Sequence, residues 1–236
     1  MNYNLIETFF PRSGLGYQMI NKVHFKIVTW LNWILNGHFF TRSRIREYYR
    51  KNNIIKVQFG SANKFLDGFL NTGIPGKIHI DITKNLPFKD NSVDLIFNSH
   101  LAEHIERNQF KHFLRDTYRI LKKGGVHIIA TPSIEKCAHI LYCKGKKNAS
   151  FLKNEFRKFT TEPVSSAYFL QGVSHMYYHH KFIYDLEEMT LLAKKAGYKS
   201  VHISYKENIF GFNIGNYLKK ENRYYNLQTE VYILQK

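Results

Sequence analysis

From Ile54 onward the sequence alternates short apolar runs with amphipathic segments, and this alternation constrains the fold more than any other feature. Short apolar runs bounded by turn residues predict five strands, over Ile54–Phe59, Phe69–Asn71, Lys77–Ile80, Val93–Asn98 and Val126–Ala130. The amphipathic segment Gln109–Lys122, followed by Gly124-Gly125, predicts a helix. Strands that alternate with helices are typical of a mostly parallel sheet with crossover helices.

The flanking regions complete a prediction of the domain organisation. The first 50 residues have helical periodicity and predict a cover at 1–50, ahead of a main domain at 51–236. Within that domain, a helix is predicted over Leu186–Ala196 and an antiparallel pair of strands over Ser200–Tyr205 and Glu230–Leu234. Residues 133–180 are basic, aromatic and less regular, so we expect an inserted recognition segment there.

The charge of the chain narrows the classes of partner. Lys and Arg number 35 against 18 Asp and Glu, a net charge of +17, which favours anionic molecules: nucleic acid, a lipid surface, or a phosphorylated or nucleotide-linked acceptor. Hydrophobic residues at 44% and charged residues at 22% exclude disordered and collagen-like proteins. The two cysteines, six positions apart, form no disulfide framework, and the start of the chain has no signal-peptide pattern. The apolar run near the start is too short to span a membrane. These features predict a cytoplasmic protein and leave association with the inner face of the membrane open. The sequence does not determine the oligomeric state.

The turn after the first predicted strand, Phe59-Gly60-Ser61-Ala62-Asn63, is placed where parallel sheets bind nucleotide-like cofactors. It lacks the G-x-G-x-x-G fingerprint, which disfavours an enzyme that uses NAD or FAD. The chain has no phosphate-binding loop of the G-x-x-x-x-G-K-[ST] kind either. Tyr177 and Lys181 have the spacing of a short-chain dehydrogenase pair, but without the glycine fingerprint we interpret this as coincidence.

A series of motifs between Val57 and Pro132 occurs in a characteristic order. The motifs are Gln58–Ser61, Asp67–Asn71, Asp81–Phe88, Asp90–Asp94, Ser99–His104 and Tyr118–Gly125, with a weaker echo at His180–Asp185 and Ala196–Tyr198. In this series the chain resembles class I S-adenosylmethionine-dependent methyltransferases of the type 11-like kind, found with bacterial surface-polysaccharide biosynthesis. The resemblance implies a Rossmann-like three-layer α/β sandwich with a mostly parallel seven-stranded sheet and an antiparallel C-terminal strand pair.

The resemblance also implies roles for individual residues in binding S-adenosylmethionine. The Gly60-Ser61 backbone would lie against the amino-acid part of the cofactor, and Asp81 would accept from the adenine amine with Ile82 on the ring. Ser99 and His100 would face the methionine moiety and the methyl group. Two positions depart from the family: Ala62 replaces a second glycine, and Gly73 stands where the acid for the ribose hydroxyls belongs, after Asn71-Thr72.

The function implied is transfer of a methyl group to a hydroxyl of a glycan, a nucleotide-sugar or another phosphorylated small acceptor. Such a hydroxyl needs a base, for which His100 is the first candidate, followed by His104 and His180. A nucleic-acid (RNA) methyltransferase is an alternative, although the chain has Asn98-Ser99-His100-Leu101 where amino-methylating enzymes carry Asn/Asp-Pro-Pro-aromatic. A non-catalytic, methyltransferase-like binding protein is a second alternative, because of Ala62 and Gly73.

The run from His100 to His104 also matches H-x-x-E-H, the inverted zinc-protease signature. In that interpretation the two histidines bind zinc and Glu103 activates water. The sequence offers no identifiable third ligand, and the family context explains both histidines, so we expect no metal at this pair.

Overall fold

The computed structural model describes residues 38–62, 64–73, 78–143, 146–176, 179–220 and 227–236. The amphipathic stretch predicted to be helical before Gly37, and most of the predicted cover at 1–50, lie outside the described residues. The described α-helices are α1 His38–Lys51, α2 Arg107–Ile120, α3 Ile134–Tyr142, α4 Lys146–Phe156, α5 Ser166–Gln171, α6 Leu186–Ala196 and α7 Ile214–Lys220. The strands are β1 Lys56–Phe59, β2 Leu70–Asn71, β3 Val93–Ser99, β4 Leu121–Pro132, β5 Ser200–Ile203, β6 Asn208–Ile209, β7 Phe212–Asn213 and β8 Thr229–Gln235.

Six of these strands form one sheet in the order β2-β1-β3-β4-β8-β5. The first four are parallel, and β8 runs antiparallel to both β4 and β5. This confirms the predicted α/β fold of class I methyltransferase type with its antiparallel C-terminal pair. The predicted strand at 77–80 is wrong for the described residues 78–80, so the described residues form a six-stranded sheet and not the predicted seven-stranded one.

The centre of the sheet is buried on both faces because helices cover each side, as in a three-layer sandwich. On one face Ile96 packs in a cluster with α2 and α6 side chains that include Phe113 and Leu192. On the other face Phe97 packs with Phe212 and with Tyr217 of α7. Alternate β3 residues thus contribute to opposite cores, which explains the apolar run Leu95-Ile96-Phe97 in the middle of this strand.

The segment after β4 is more regular than the sequence indicated. Helices α3, α4 and α5 surround a small core of their own, formed by Cys137, Ile140, Leu152, Phe156, Val164, Phe169 and Val173. A π-helical segment, Gly172–Met176, follows α5 directly. The predicted recognition segment is therefore a packed helical unit attached at the end of β4.

Within the part of the chain that the structure describes, no helix combines the length and the apolar character needed to cross a bilayer. The short apolar run noted at 27–35 lies outside that part.

Candidate functional site

The sheet brings the two predicted cofactor turns to the same edge. Phe59 pairs with Asn98 in parallel register, so Gly60-Ser61 after β1 and Ser99-His100 after β3 leave neighbouring strands side by side. The carboxyl ends of parallel strands are where open α/β sheets bind their ligands. The first turn therefore lies beside the second at the expected edge.

Gly60 adopts a left-handed backbone conformation, with φ of 69°. A Cβ atom at this position would lie 2.9 Å from Cδ1 of Leu101, the end of a flexible side chain, so the left-handed backbone is the main reason for glycine here. Ser61 is buried and donates its backbone N–H to the carbonyl of Thr72 at 2.8 Å. Its Oγ is buried without a hydrogen-bond partner among the described residues, as expected for a hydroxyl that faces a polar ligand.

Gly73 packs against this turn. A Cβ atom there would lie 3.3 Å from the Ser61 nitrogen, so a larger residue would press on the turn itself. The Gly73 N–H donates to the Ile78 carbonyl at 3.1 Å. Ala62 adopts φ of 44°, the left-handed region that a glycine would occupy at lower cost. Thus Gly73 supplies close packing and no carboxylate for a ribose.

Asp81 and Ile82 have different environments. Oδ1 of half-buried Asp81 accepts hydrogen bonds from the backbone N–H and the Oγ1 hydroxyl of Thr83, at 2.9 and 2.7 Å. Its second oxygen, Oδ2, makes no hydrogen bond within the described residues and can accept one. Ile82 is buried in the main core with Leu86, so the structure buries the side chain that the resemblance places on an adenine ring.

The second turn contains a buried carboxylate and a histidine bonded to it. Glu103, in a short 3₁₀ helix at Ala102–His104, is fully buried. Its Oε1 lies 3.1 Å from Nδ1 of His100, and its Oε2 accepts from Oγ1 of Thr131 at 2.9 Å. Nε2 of His100 lies 3.1 Å from Oγ1 of Thr229, at the start of β8. Both ring nitrogens of His100 are therefore engaged.

Two more histidines complete this group, which we call the Glu103 cluster: His100, Glu103, His104 and His180. The rings of His104 and His180 meet edge to face, with centroids 4.9 Å apart. A backbone hydrogen bond holds the two segments together, because the N–H of Lys181, next to His180, donates to the carbonyl of Glu103, next to His104, at 2.6 Å. Buried His180 lies with Nδ1 2.5 Å from the Val173 carbonyl, so this nitrogen donates and the neutral ring carries its lone pair on Nε2.

The protonation states in the cluster follow from burial and hydrogen bonding. Burial alone would raise the pKa of Glu103, but the hydrogen bond from His100 and the charges of the neighbouring histidines outweigh it and lower the pKa to about 2. Burial lowers the pKa of His180 to about 4, against the opposing effect of Glu103. The pKa of His104 is lowered for the same reason, since its ring packs against His180 although the residue is exposed overall. At neutral pH the cluster therefore holds an ionised carboxylate beside two neutral rings.

Three of the four cluster residues, His100, His104 and His180, were predicted as catalytic candidates, whereas Glu103 had a role only in the zinc interpretation. The position of Glu103 inside H-x-x-E-H was the signal for it. Thr131 and Thr229, which bond Glu103 and His100, had no such signal, because Thr229 is far away in sequence and reaches the site only through β8 pairing.

A basic cavity lies elsewhere on the molecule. It has a volume of about 760 Å³ and is lined by Arg42, Ile45, Arg46, Tyr49, Arg50, Pro87, Phe88 and Lys89. Since Tyr49 bonds Ser92 at the start of β3, this cavity is at the amino-terminal edge of the sheet, opposite the Glu103 cluster.

Several solved structures are similar to this chain over most of its length. A SAM-dependent methyltransferase from Archaeoglobus fulgidus is 17% identical and aligns over 83% of this chain and 92% of its own, with a TM-score of 0.47. One from Thermotoga maritima, described as a possible histamine N-methyltransferase, is 17% identical over 88% and 94% of the two chains, with a TM-score of 0.41. A third, from Mesorhizobium loti, is 11% identical over 80% and 96%, with a TM-score of 0.45. No curated protein matches the sequence.

The family model of the methyltransferase domain matches residues 56–129. These residues run from β1 into β4 and include the Gly60-Ser61 turn, the Asp81 turn, and three residues of the Glu103 cluster. The orphaned Ser61 hydroxyl and the open Asp81 oxygen are consistent with a bound cofactor at this edge. From this match to a methyltransferase domain we conclude that the chain is an enzyme and that its cofactor is S-adenosylmethionine.

Proposed function

We propose that this enzyme methylates a hydroxyl oxygen of an anionic acceptor, of the glycan, nucleotide-sugar or phosphorylated small-molecule class. One observation carries the proposal: the buried Glu103 carboxylate holds His100 by hydrogen bond and stands beside His104 and His180 at the sheet edge used for the cofactor. S-adenosylmethionine, when bound, would supply a sulfonium methyl group whose C–S bond breaks as the C–O bond forms, with the thioether S-adenosylhomocysteine leaving and the hydroxyl proton passing to solvent water.

The Glu103 cluster suits an oxygen acceptor because a hydroxyl holds its proton far above neutral pH. A site that methylates oxygen must polarise the hydroxyl or take up its proton, and it must also orient the oxygen towards the methyl carbon. Exposed His104 offers a polar contact at the surface, while His100 is fixed from both sides by Glu103 and Thr229. In this proposal His100 positions the cluster and does not itself contact the acceptor.

The side of the acceptor away from the methyl group would meet the helical unit after β4. This unit reaches the cluster directly, since the Val173 carbonyl in its last turn accepts the hydrogen bond from His180. Exposed lysines on α4, Lys146 and Lys147, supply positive charge for a phosphate or carboxylate on the acceptor. We therefore propose that the unit at 133–180 selects the acceptor.

The test is Glu103→Gln, which keeps the size of the side chain and removes its charge. We expect turnover of phosphorylated sugar acceptors to fall about 100-fold or more, a typical loss for proton-handling groups. Binding of S-adenosylmethionine, measured by calorimetry, should be retained, because the Glu103 side chain makes its hydrogen bonds to His100 and Thr131 and not to the Gly60-Ser61 turn.

The chain offers a matched control in a second histidine–glutamate pair, His202–Glu207. This pair is exposed, and Nε2 of His202 lies 2.9 Å from Oε1 of Glu207. Glu207→Gln should leave turnover unchanged. Full activity of Glu103→Gln, or a methylated nitrogen in the isolated product, would contradict the proposal. Cofactor binding without turnover of the hydroxyl acceptors tested, by the wild-type chain, would likewise contradict a hydroxyl as the methyl acceptor.

A further inference from the structure

We propose that the Glu103 cluster binds one divalent transition-metal ion, of which zinc is the type, through Glu103, His104 and His180. One potential ligand atom from each of these three residues lies within 4.8 Å of the other two. Two imidazoles and one carboxylate are a common ligand set for such ions, and three protein ligands leave a coordination position open. The inference rests on the proposed function for its role in the reaction, but the site stands on its own geometry.

The first supporting observation is the orientation of His180. Metal-binding histidines usually donate their second ring N–H to a backbone carbonyl or a carboxylate, which fixes the ring and its tautomer. Nδ1 of His180 donates to the Val173 carbonyl at 2.5 Å, and that carbonyl belongs to the π-helical segment Gly172–Met176. Single π-helical turns occur frequently at functional sites. The tautomer thus fixed presents the Nε2 lone pair that a metal requires.

The second observation is the charge of Glu103. The carboxylate is fully buried, yet among the described residues no lysine or arginine forms an ion pair with it, and His100 is its only ion-pair partner. Removing an ionised carboxylate from water is costly unless an opposite charge compensates it. A divalent ion beside Glu103, between the rings of His104 and His180, would provide that charge.

The third observation is that the scaffold of the site is already assembled. The Lys181 and Phe182 N–H groups both point to the Glu103 carbonyl, at 2.6 and 3.4 Å, and hold His180 against the 3₁₀ helix. Thr131 and His100 orient the carboxylate from two sides. His104, the third ligand, follows Glu103 on the same 3₁₀ helix and already has a ring nitrogen within 4.8 Å of the other two ligand atoms.

The site differs from the zinc interpretation of the H-x-x-E-H run. There the ligands were His100 and His104, whereas the structure engages His100 with Glu103 and Thr229 and places His180 as the third member instead. No sequence pattern selects His180 as a ligand, and the family context explains His100 and His104 without a metal, which is why we expected none at that pair.

A bound ion would account for activation of the acceptor. A hydroxyl that coordinates a divalent ion loses its proton more readily, in this case to solvent water. The resulting oxygen would be held at the open position, at the same edge as the cofactor turn. The ion would undergo no change of oxidation state.

The experiment uses the full chain purified without a histidine tag and stripped with a chelator. We expect Co²⁺ to bind with one equivalent per chain and to give the visible absorption of a nitrogen-ligated site, with Zn²⁺ displacing it. Mg²⁺, which prefers oxygen ligands, should not compete. Cofactor and acceptor are absent, so this readout does not depend on methyl transfer.

His104→Ala and His180→Ala should each weaken Co²⁺ binding more than about 100-fold, beyond the roughly 10–100-fold loss for outer partners of a metal site. His202→Ala, in the exposed pair on β5, should bind as the wild type does. Because His104 is exposed, its variant should fold even if the His180 variant does not, which unfolding curves would show.

No stoichiometric binding by the wild-type chain, or unchanged binding in His104→Ala, would overturn the metal site. Metal binding at the cluster together with an absence of hydroxyl methylation would support the site and contradict the proposed function instead. Undiminished methyl transfer by the metal-free chain would overturn the role of the ion.

Discussion

His127 is a fully buried histidine in the middle of β4, where the sequence pattern predicted an apolar strand. Its Nε2 lies 2.6 Å from Oδ1 of Asn98, and its ring packs edge-on against Phe113. Burial, which disfavours the charged ring, lowers the pKa of His127 to about 3. This residue therefore stays neutral in the folded protein at pH values where an unfolded chain is protonated.

The consequence is a dependence of stability on acid. Between the ordinary pKa near 6.5 and the folded value near 3, the unfolded state binds more protons, so stability falls as pH is lowered through this range. We expect His127 to contribute a slope of up to about 1.4 kcal/mol per pH unit. His127→Gln should give a shallower fall in urea-unfolding free energy from pH 6.5 to 4. An unchanged slope would show that His127 is solvated in the folded state.

Asp81 provides a residue-level test of cofactor recognition. Asp81→Asn keeps an oxygen that can accept the hydrogen bonds from Thr83. Any loss of cofactor affinity in this variant should therefore report on the second oxygen, Oδ2. If the adenine amine donates there, cofactor affinity should fall by about 1–3 kcal/mol, as for a charge-assisted hydrogen bond. Asp90→Asn, at an exposed ion pair with Arg119, is the control. Equal affinities in calorimetry for Asp81→Asn and wild type would remove Asp81 from the site.

At the scale of elements, the C-terminal end of α6 shows how one residue can determine where a helix stops. Gly197 adopts φ of 111°, and its N–H donates to the Ala193 carbonyl at 3.1 Å. A Cβ atom there would lie 2.8 Å from the ring of Tyr118 on α2. Glycine is thus required twice, by the backbone conformation and by the close packing of α2 on α6.

Gly197→Ala should lower the unfolding free energy by about 2–4 kcal/mol, the sum of backbone strain and overpacking. Gly124→Ala is the matched control, because Gly124 also has a positive φ, 79°, but has no atom within 4 Å of the added Cβ. The control should lose only the strain of about 1–2 kcal/mol. Equal losses for the two variants in urea titrations would show that Tyr118 moves aside without cost.

Elements with a strong local signal were predicted well. The helix Leu186–Ala196 has the predicted bounds, since Asp185 caps its start and Gly197 its end. The predicted strand at 77–80 failed because Ile78 and Ile80 are buried by core contacts without entering a ladder, and burial alone produces the same apolar pattern. Such a pattern does not distinguish a strand from a buried extended loop.

The helices at 134–171 were missed although Leu152 and Phe156 have helical spacing. Lysines and aromatic residues around them concealed the periodicity, and the small core they share with Cys137 is formed only in three dimensions. The candidate site shows the same limit. The sequence located His100 and His104, but the meeting of His104 with His180 depends on how the chain folds back after the π-helical segment.

At the scale of the whole molecule, the chain has a net charge of +17, and its described basic side chains include groups near both edges of the sheet. Arg42, Arg46, Arg50 and Lys89 line the cavity at the amino-terminal edge. Lys146 and Lys147 are exposed on α4, in the helical unit that adjoins the Glu103 cluster. The overall field attracts anions to both surfaces, but methyl transfer requires the acceptor at the carboxyl edge.

This distinction leads to a test of which basic surface selects the acceptor. Shortening the segment from 144 to 158 would remove Leu152 and Phe156 from a core, so charge reversal is the sharper experiment. Lys146→Glu with Lys147→Glu should raise KM for a phosphorylated acceptor by a factor of about 2 to 30, from roughly 0.2–1 kcal/mol per exposed charge. The effect should shrink as salt is added, because exposed charges are screened.

Arg46→Glu with Arg50→Glu makes the same change in net charge at the opposite edge and should leave KM close to the wild-type value. If both pairs raise KM equally, the acceptor responds only to total charge; if only the arginine pair does, the acceptor binds at the amino-terminal cavity, and the assignment of 133–180 is wrong.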